Sequence, residues 1–307
     1  MKALRDHFSD ELIARARVDE RIVAIDCDVQ THSRLSAFAL RFPDRFYQAG
    51  ASEQHALSLA AGLSKAGRLP VVASFATFIS ARAFEQARNS IGLQSLPILI
   101  VGSHAGFAAG EDGASHQAYD DIGLFSLIPT FHVYAPADLH DLRDAMDAAL
   151  VRAKSVYLRY GRRTMPVLDC EDCHPDQFRT IKKCNGSVII TAGEATHRVI
   201  EALGDRSDVS IVHTGRVRPL PELPPVVLTS DLILVVEDHY AAGGLFGAVC
   251  EAFSEIPQNP KIVSVSAARR FGETGHDNEV MAAMGLDSAS LRSRVRSFIK
   301  NNLKAEN

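Results

Sequence analysis

The sequence lacks the features that mark several classes of protein. Its 307 residues contain 33 lysines and arginines against 37 aspartates and glutamates, and no basic run is interleaved with aromatic residues. A nucleic-acid-binding surface is therefore not expected, and no internal repeat or low-complexity tract is present. The first twenty residues carry acids and bases throughout, so they are predicted to be neither a signal peptide nor a membrane anchor. A cytoplasmic location is expected.

Cysteine is scarce, with five residues in the chain. Cys170, Cys173 and His174 have the C-x-x-C-H spacing of covalent haem attachment, but the expected absence of an export signal disfavours haem. Together with Cys184 they offer thiolate and imidazole ligands that suit a structural zinc ion, and this alternative stays open. The interpretation we favour is a polar linker with reduced cysteines, because proline-containing turn signals flank it on both sides.

Short apolar runs alternate with longer amphipathic stretches along the whole chain. Runs such as "PVVASF" and "LPILIVG" are typical of buried strands, and "EQHALSLAAGLSKAG" has helical periodicity. This alternation predicts an α/β fold with doubly wound parallel sheets. A second alternating series follows the polar segment, so we expect two domains, at residues 1–165 and 186–307, joined by a linker at 166–185.

Unusual polar residues follow several of the predicted strands. In open parallel sheets ligands bind where strands end and the chain turns into the next helix. Glu53 begins an apolar helix, where an acid also complements the helix dipole without any further role. His104, Asp112 and His116 in "GSHAGFAAGEDGASHQ" have equally ordinary explanations as loop or turn residues. Their convergence at the ends of one sheet nevertheless predicts a functional site.

These residues carry a family resemblance. The stretch "GASEQHALSLAAGLSKAGRLPVVASFATFISARAFEQARNSI" and the block "GEDGASHQ" resemble the pyrimidine-binding domain of transketolases. The second half resembles the C-terminal domain of that family through "HTGRVRPLPE", "VVEDHYAAGGLFGAV" and "FGETG". The Gly-Asp-Gly motif with which the family binds diphosphate and Mg²⁺ is not found in the sequence. The chain therefore resembles the C-terminal subunit of a split transketolase.

The resemblance implies thiamine diphosphate as the cofactor, with Mg²⁺ and the diphosphate held by a separate N-terminal subunit in an A2B2 heterotetramer. Glu53 matches the glutamate that bonds the N1' atom of the aminopyrimidine ring and acts as the acid-base residue of cofactor activation. Phe75 and Phe78 match the aromatic wall beside that ring, and Asp28 and Val29 match a loop that approaches the cofactor. No metal ligand is expected from this chain.

The resemblance also implies a sugar phosphate substrate for transfer of a two-carbon ketol unit from a ketose to an aldose. His104 and His116 match catalytic histidines that contact substrate oxygens, and Asp112 matches a residue that bonds a substrate hydroxyl. Guanidinium groups suit phosphate, and two arginines match the phosphate-gripping residues of the family. The residues expected to bind substrate are Arg5, His32, His104, Asp112, His116 and Arg162.

Departures from the family pattern leave other functions open. His32 replaces the serine that usually contacts phosphate, and Ala81 stands where a larger residue often lies near the pyrimidine. The helix that starts at Glu53 also resembles 1-deoxyxylulose-5-phosphate synthase, and the β subunits of 2-oxo acid dehydrogenases share the two-domain layout. The synthase typically has an arginine at the position of His104. A non-catalytic assembly paralogue is a further alternative, which is disfavoured by the retention of Glu53, Phe75, Phe78 and Asp112.

Overall fold

The computed structural model describes residues 2–168, 174–184, 186–204 and 209–303, with side chains described up to residue 298. Cys170 and Cys173 lie outside this part of the chain, and with them the haem and zinc hypotheses. Across the described residues the strands are β1 (Ile22–Asp26), β2 (Phe46–Gln48), β3 (Leu69–Phe75), β4 (Leu99–Ser103), β5 (Phe131–Tyr134), β6 (Ser155–Tyr160), β7 (Arg179–Lys182), β8 (Ser187–Thr191), β9 (Val209–His213), β10 (Arg216–Arg218), β11 (Leu232–Val236) and β12 (Lys261–Val265).

Helices connect these strands and cover both sheets. Among the helices that the structure describes, none combines the length and hydrophobicity needed to cross a bilayer. The helices are α1 (Leu4–Val18), α2 (Gln30–Ser33), α3 (Ser36–Arg41), α4 (Glu53–Lys65), α5 (Asp121–Ser126), α6 (Leu139–Leu150), α7 (Ala195–Leu203), α8 (Pro225–Leu228), α9 (Leu245–Ser254), α10 (Asp277–Ala283) and α11 (Ser288–Leu303).

The first sheet has seven strands in the order β10-β5-β6-β4-β3-β1-β2. All neighbouring strands are parallel except β10, which pairs antiparallel with β5. Every residue of β1, β4 and β6 is buried, as expected for parallel strands with helices on both faces. In this order β4, β3 and β1 are neighbours, so the residues that follow them lie side by side.

The second sheet has five strands in the order β12-β11-β8-β9-β7, and only β7 runs antiparallel to its neighbour. The two parallel, helix-covered sheets confirm the predicted α/β fold. The domain bounds stay a prediction. Strand β7 lies within the predicted linker and pairs with the second sheet, and β10 follows the linker and pairs with the first.

A buried ion network joins the two halves of the molecule. Arg159 on β6 is 3% exposed and donates to Asp121 at 2.8 Å and to Asp238 at 3.0 Å. Asp121 lies in the first half and Asp238 directly follows β11 in the second. Because both carboxylates are otherwise buried charges, the arginine is needed at the joint.

Candidate functional site

The predicted site residues lie at the carboxyl ends of three neighbouring strands of the first sheet. Asp28 follows β1, Phe75 ends β3 and His104 directly follows β4. Glu53 is the first residue of α4, which packs against β3. The location is therefore the edge where open α/β sheets bind ligands.

Glu53 is a buried acid with two partners of different character. The residue is 2% exposed. Its Oε1 atom accepts a hydrogen bond from Ser74 Oγ at 3.0 Å, and its Oε2 atom accepts one from Arg82 Nη1 at 2.8 Å. Ser74 is fully buried on β3, whereas the Arg82 side chain is 50% exposed. One carboxylate oxygen is thus bonded to a buried residue of the sheet and the other to a half-exposed arginine.

Two aromatic rings form a wall next to this carboxylate. The rings of Phe75 and Phe78 are stacked with their centroids 6.1 Å apart and an angle of 30° between their planes. Phe78 begins a π-helical turn that ends at Arg82. π-Helical turns are rare in proteins, and those that occur are often found at functional sites. Both phenylalanines are partly exposed, so a flat ring approaching from solvent has an apolar surface to pack on.

The three predicted histidines surround the same wall. The ring centroid of Phe75 lies 4.3 Å from that of His104, 5.7 Å from that of His32 and 6.4 Å from that of His116. His116 also lies 5.0 Å from the ring of Phe78. The structure therefore brings together residues that are far apart in the sequence.

His104 is held in an unusual state. Its backbone has φ of 59°, in the left-handed region that non-glycine residues seldom adopt, and such positions cluster at functional sites. The ring is 3% exposed and its Nδ1 atom lies 3.1 Å from Ser103 Oγ. Burial, followed by the charges of Arg162, His32 and Arg5, lowers the pKa of His104 to about 3. The imidazole is therefore neutral at physiological pH.

A cluster of basic groups lies beside the histidines. Burial, followed by the positive charge of Arg34, lowers the pKa of Arg5, and Arg162 adds to this effect. Within the described residues the buried Nε atom of Arg5 has no hydrogen-bond partner. Arg162 is exposed. This side of the site therefore has positive charge and an unsatisfied donor, which suits an anionic group.

The remaining predicted residues are less closely connected to the wall. Asp28 is exposed with φ of 64°, and its backbone N–H donates to Gln48 Oε1 at 3.0 Å. The Val29 N–H donates to Asp26 Oδ1 at 2.8 Å, which fixes the start of α2. Asp112 is exposed in a 3₁₀ turn at Gly110–Asp112, and no contact in the described part of the chain joins its carboxylate to the histidines.

Sequence reasoning missed the partners of Glu53. Ser74 lies in a strand that is buried along nearly its whole length, so no alternation singles it out. Arg82 follows Phe78 by four residues, a spacing that places two side chains on one helix face. Arg82 was detectable from that spacing, and its guanidinium carbon lies 4.7 Å from the Phe78 ring centroid. The pairing with Glu53 spans 29 residues and leaves no local pattern.

The loop that carries "GEDGASHQ" also contacts the second half of the molecule. Gln117 Nε2 donates to the backbone oxygen of Glu273 at 2.9 Å, and Glu111 pairs with His276 at 2.9 Å. A Cβ atom at Gly113 would lie 2.5 Å from Thr274 Oγ1, so the close approach requires glycine there. Several of the polar and small residues of this loop are thus explained by packing between the halves.

Comparison with known families matches residues 1–167 to the family "Transketolase, pyrimidine binding domain". The chain belongs to the transketolase family. It is 30% identical to a Methanocaldococcus jannaschii protein named "Putative transketolase C-terminal section", with 97% of each chain covered. It is 33% identical to the 1-deoxy-D-xylulose-5-phosphate synthase of Magnetococcus marinus over 95% of this chain and 48% of that protein. The chain thus spans about half the length of this synthase.

Solved structures show the same fold. A chain described as "Split gene transketolase, inactive beta4 tetramer" superposes with a TM-score of 0.83 at 29% identity, covering 97% of this chain and 98% of that one. Transketolase from Campylobacter jejuni superposes with a TM-score of 0.82 at 18% identity over 46% of its length. The chain therefore resembles the C-terminal section of transketolases along its whole described length, which confirms the resemblance drawn from the sequence.

Proposed function

We propose that this chain is the pyrimidine-binding subunit of a thiamine diphosphate-dependent transketolase. The observation that carries the proposal is the position of Glu53: a buried carboxylate beside an aromatic wall, at the carboxyl ends of neighbouring parallel strands. Family membership, and the full-length match to a chain from a split transketolase, support the same assignment.

The residues present fit the cofactor's aminopyrimidine ring. Phe75 and Phe78 offer an apolar surface for a flat heterocycle. Glu53 offers a carboxylate oxygen whose present partner is a half-exposed side chain. In the described residues no group of three or more histidines, cysteines and acids is arranged to hold a metal ion, so Mg²⁺ and the diphosphate are assigned to the partner.

The residues around the cofactor position then have distinct roles. When bound, thiamine diphosphate supplies the nucleophilic carbon at which the carbon–carbon bond of a ketose is broken and formed. Glu53 holds a proton at the N1' atom of the pyrimidine, and Ser74 orients its carboxylate. Neutral His104 and the neighbouring His116 bind substrate oxygens and accept or donate protons there.

We assign the basic cluster to a sugar phosphate. Arg5 has a buried Nε atom without a partner, and Arg162 contributes charge at the same edge of the site. His32 lies beside the wall, with its ring 5.7 Å from that of Phe75 and 5.8 Å from that of His104. Asp112 is proposed to bond a substrate hydroxyl, and Asp28 and Val29 to form the rim near the cofactor.

The proposed assembly has two kinds of chain. Each cofactor site is completed by an N-terminal, diphosphate-binding transketolase subunit, in an A2B2 heterotetramer in the cytoplasm. The match to a chain described as split gene transketolase, over 97% of this chain and 98% of that one, supports a separate source for the diphosphate site. In this proposal the chain folds as a pyrimidine-binding domain at 1–165, a linker at 166–185 and a C-terminal domain at 186–307.

A second candidate is a subunit with 1-deoxyxylulose-5-phosphate synthase activity. Several synthases are 28–33% identical to this chain, a range that includes the 30% of the transketolase section. Against it, a buried neutral histidine stands at position 104, where that family typically has an arginine. The two activities differ in the donor, because the synthase decarboxylates pyruvate.

The proposal is tested by reconstitution. The chain is co-purified with a diphosphate-binding transketolase subunit, such as the product of a neighbouring reading frame, and assayed with thiamine diphosphate and Mg²⁺. Turnover of xylulose 5-phosphate with ribose 5-phosphate by the pair, and by neither chain alone, is expected. Consumption of pyruvate with glyceraldehyde 3-phosphate would support the synthase instead. A stable pair that turns over neither donor set would support the assembly paralogue.

A further inference from the structure

The place beside Glu53 that the proposed function gives to the pyrimidine ring is filled by a side chain of the protein itself. Arg82 Nη1 donates to Glu53 Oε2 at 2.8 Å. The same guanidinium lies over the Phe78 ring, with its central carbon 4.7 Å from the centroid. A flat, hydrogen-bond-donating group thus contacts both residues that would hold the heterocycle.

The two hydrogen-bond donors to Glu53, Ser74 and Arg82, differ in how readily a ligand can displace them. Ser74 is buried within β3, and removing its hydroxyl from Glu53 would leave buried polar atoms unpaired. Arg82 is 50% exposed, so its guanidinium can be hydrated when it moves away. An ion pair with so exposed a partner stabilises little, because solvent screens the charges. A ligand approaching Glu53 from solvent therefore displaces Arg82 and not Ser74.

The neighbouring sequence gives the arginine room to occupy this place. Ala81 carries only a methyl group, and the π-helical turn from Phe78 to Arg82 keeps the two ends of the turn on one face. The planar guanidinium packs on the aromatic ring in the way that a heterocycle would.

We propose that Arg82 is an internal competitor of the cofactor: its guanidinium occupies the pyrimidine position in the chain without cofactor and is expelled from Glu53 when the ring binds. This inference rests on the proposed function. It assigns Arg82 a role in setting cofactor affinity, and it makes Arg82 a residue that leaves the site, in contrast to Ser74, which stays.

The test compares thiamine diphosphate affinity in the two-chain complex of the wild type and of Arg82→Met, by titration calorimetry with Mg²⁺. Methionine keeps an unbranched apolar chain beside Phe78 and removes the pairing with Glu53. Because binding no longer includes the loss of that pair, the dissociation constant is expected to fall about twofold to fivefold. A Kd that is unchanged or higher would overturn the proposal.

A matched control and a second readout keep the result specific. Arg68 lies beyond the other end of α4, roughly 20 Å along the helix axis from Glu53, and is exposed. Arg68→Met is expected to leave the Kd unchanged. If Arg68→Met increased the affinity as much as Arg82→Met does, the effect would come from the change in net charge, and the proposal would be overturned. In the wild-type complex, the ¹⁵Nε signal of Arg82, assigned from its loss in Arg82→Lys, is expected to shift when cofactor is added. An unmoved signal would also overturn the proposal.

The failure of this inference is distinguishable from that of the proposed function. If the wild-type complex binds thiamine diphosphate and turns over sugar phosphates while Arg82→Met binds it no more tightly, only the competitor role is wrong. If the assembled wild-type complex binds no thiamine diphosphate, both proposals are wrong.

Discussion

Two buried glutamates at strand ends have opposite surroundings in the two halves of the molecule. Glu53, in the first half, is held by a buried serine and a half-exposed arginine. Glu237, which directly follows β11 in the second half, accepts backbone hydrogen bonds from Leu245 at 2.7 Å and Phe246 at 3.0 Å. Both acids are 2% exposed. Burial therefore does not distinguish the two acids, whereas the exposure of one Glu53 partner, Arg82, does.

The same contrast holds for the polar groups around each acid. Arg159, near Glu237, donates from each of its three guanidinium nitrogens, to two carboxylates and a backbone oxygen. Arg5, on the side of Glu53, has a buried Nε atom without a partner in the described chain. Every guanidinium nitrogen of Arg159 thus has a protein partner, whereas one nitrogen of Arg5 has none in the described residues.

The largest expected effect is on catalysis at Glu53. In the reconstituted complex, Glu53→Gln is expected to lower kcat by about 10² to 10⁴, because the amide cannot hold the transferable proton. Glu237→Gln should leave kcat within about twofold, since its partners are backbone amides of α9. Steady-state kinetics with xylulose 5-phosphate measure both. Equal losses in the two variants would erase the distinction between the acids, and near-normal activity in Glu53→Gln would remove the proposed mechanism.

The next effect is on stability at the joint between the halves. Arg159→Met leaves Asp121 and Asp238 without their shared cation, which we expect to cost about 3–5 kcal/mol of the free energy of unfolding. Calorimetry should show Tm lower by about 5–10 °C. Arg143→Met is the control, because the Arg143 side chain is 49% exposed where it pairs with Glu11, and its loss should cost under about 1 kcal/mol. If Arg159→Met lowered the free energy of unfolding no more than Arg143→Met does, our description of the joint would be contradicted.

A smaller effect is expected at Arg5. If its free donor binds phosphate, Arg5→Met should lower kcat/KM for phosphorylated sugars by about tenfold to a hundredfold, as expected for the loss of one or two charge-assisted hydrogen bonds. Non-phosphorylated erythrulose should be used as a donor equally well by the variant and the wild type. An identical loss for both donors would show that Arg5 supports the fold and not the phosphate.

The last expected effect is the pH dependence of stability at Glu237. Burial raises its pKa from 4.5 to about 8, although the backbone donors oppose this rise. Between these pH values the folded chain binds more protons at this residue than the unfolded chain, so its contribution to stability falls as pH increases. Glutamine cannot ionise, and its amide NH₂ group replaces one acceptor oxygen with a donor. At pH 5 this replacement should lower the free energy of unfolding by about 1 kcal/mol.

Urea unfolding at pH 5, 6.5 and 8 measures this dependence. The stability advantage of the wild type over Glu237→Gln at pH 5 should shrink and then reverse as pH rises to 8, and a constant difference would contradict the shifted pKa. Glu251→Gln serves as the control. Hydrogen bonding to Arg218 lowers the pKa of Glu251, so any pH dependence of stability from this residue falls at acidic pH, below the range tested.

The sequence predicted the strands that are long and apolar, and with them the edge where the site lies. Strands β2 and β10 were not predicted, because three residues are too few to show a period. The acid and the aromatic wall were predicted from position and family resemblance. The pairing of Arg82 with Glu53 and the docking of "GEDGASHQ" on residues 272–276 were not, because both depend on contacts between distant segments. Such contacts follow from the packed fold and leave no local pattern.

The central claim is that Glu53 and the Phe75–Phe78 wall bind the pyrimidine ring of thiamine diphosphate. The most direct test is a crystal structure of the two-chain complex with thiamine diphosphate and Mg²⁺. We predict that the ring packs on Phe78, with a ring nitrogen within hydrogen-bond distance of Glu53 Oε2 and Arg82 displaced. Cofactor bound elsewhere, with Glu53 still paired to Arg82, would contradict the account.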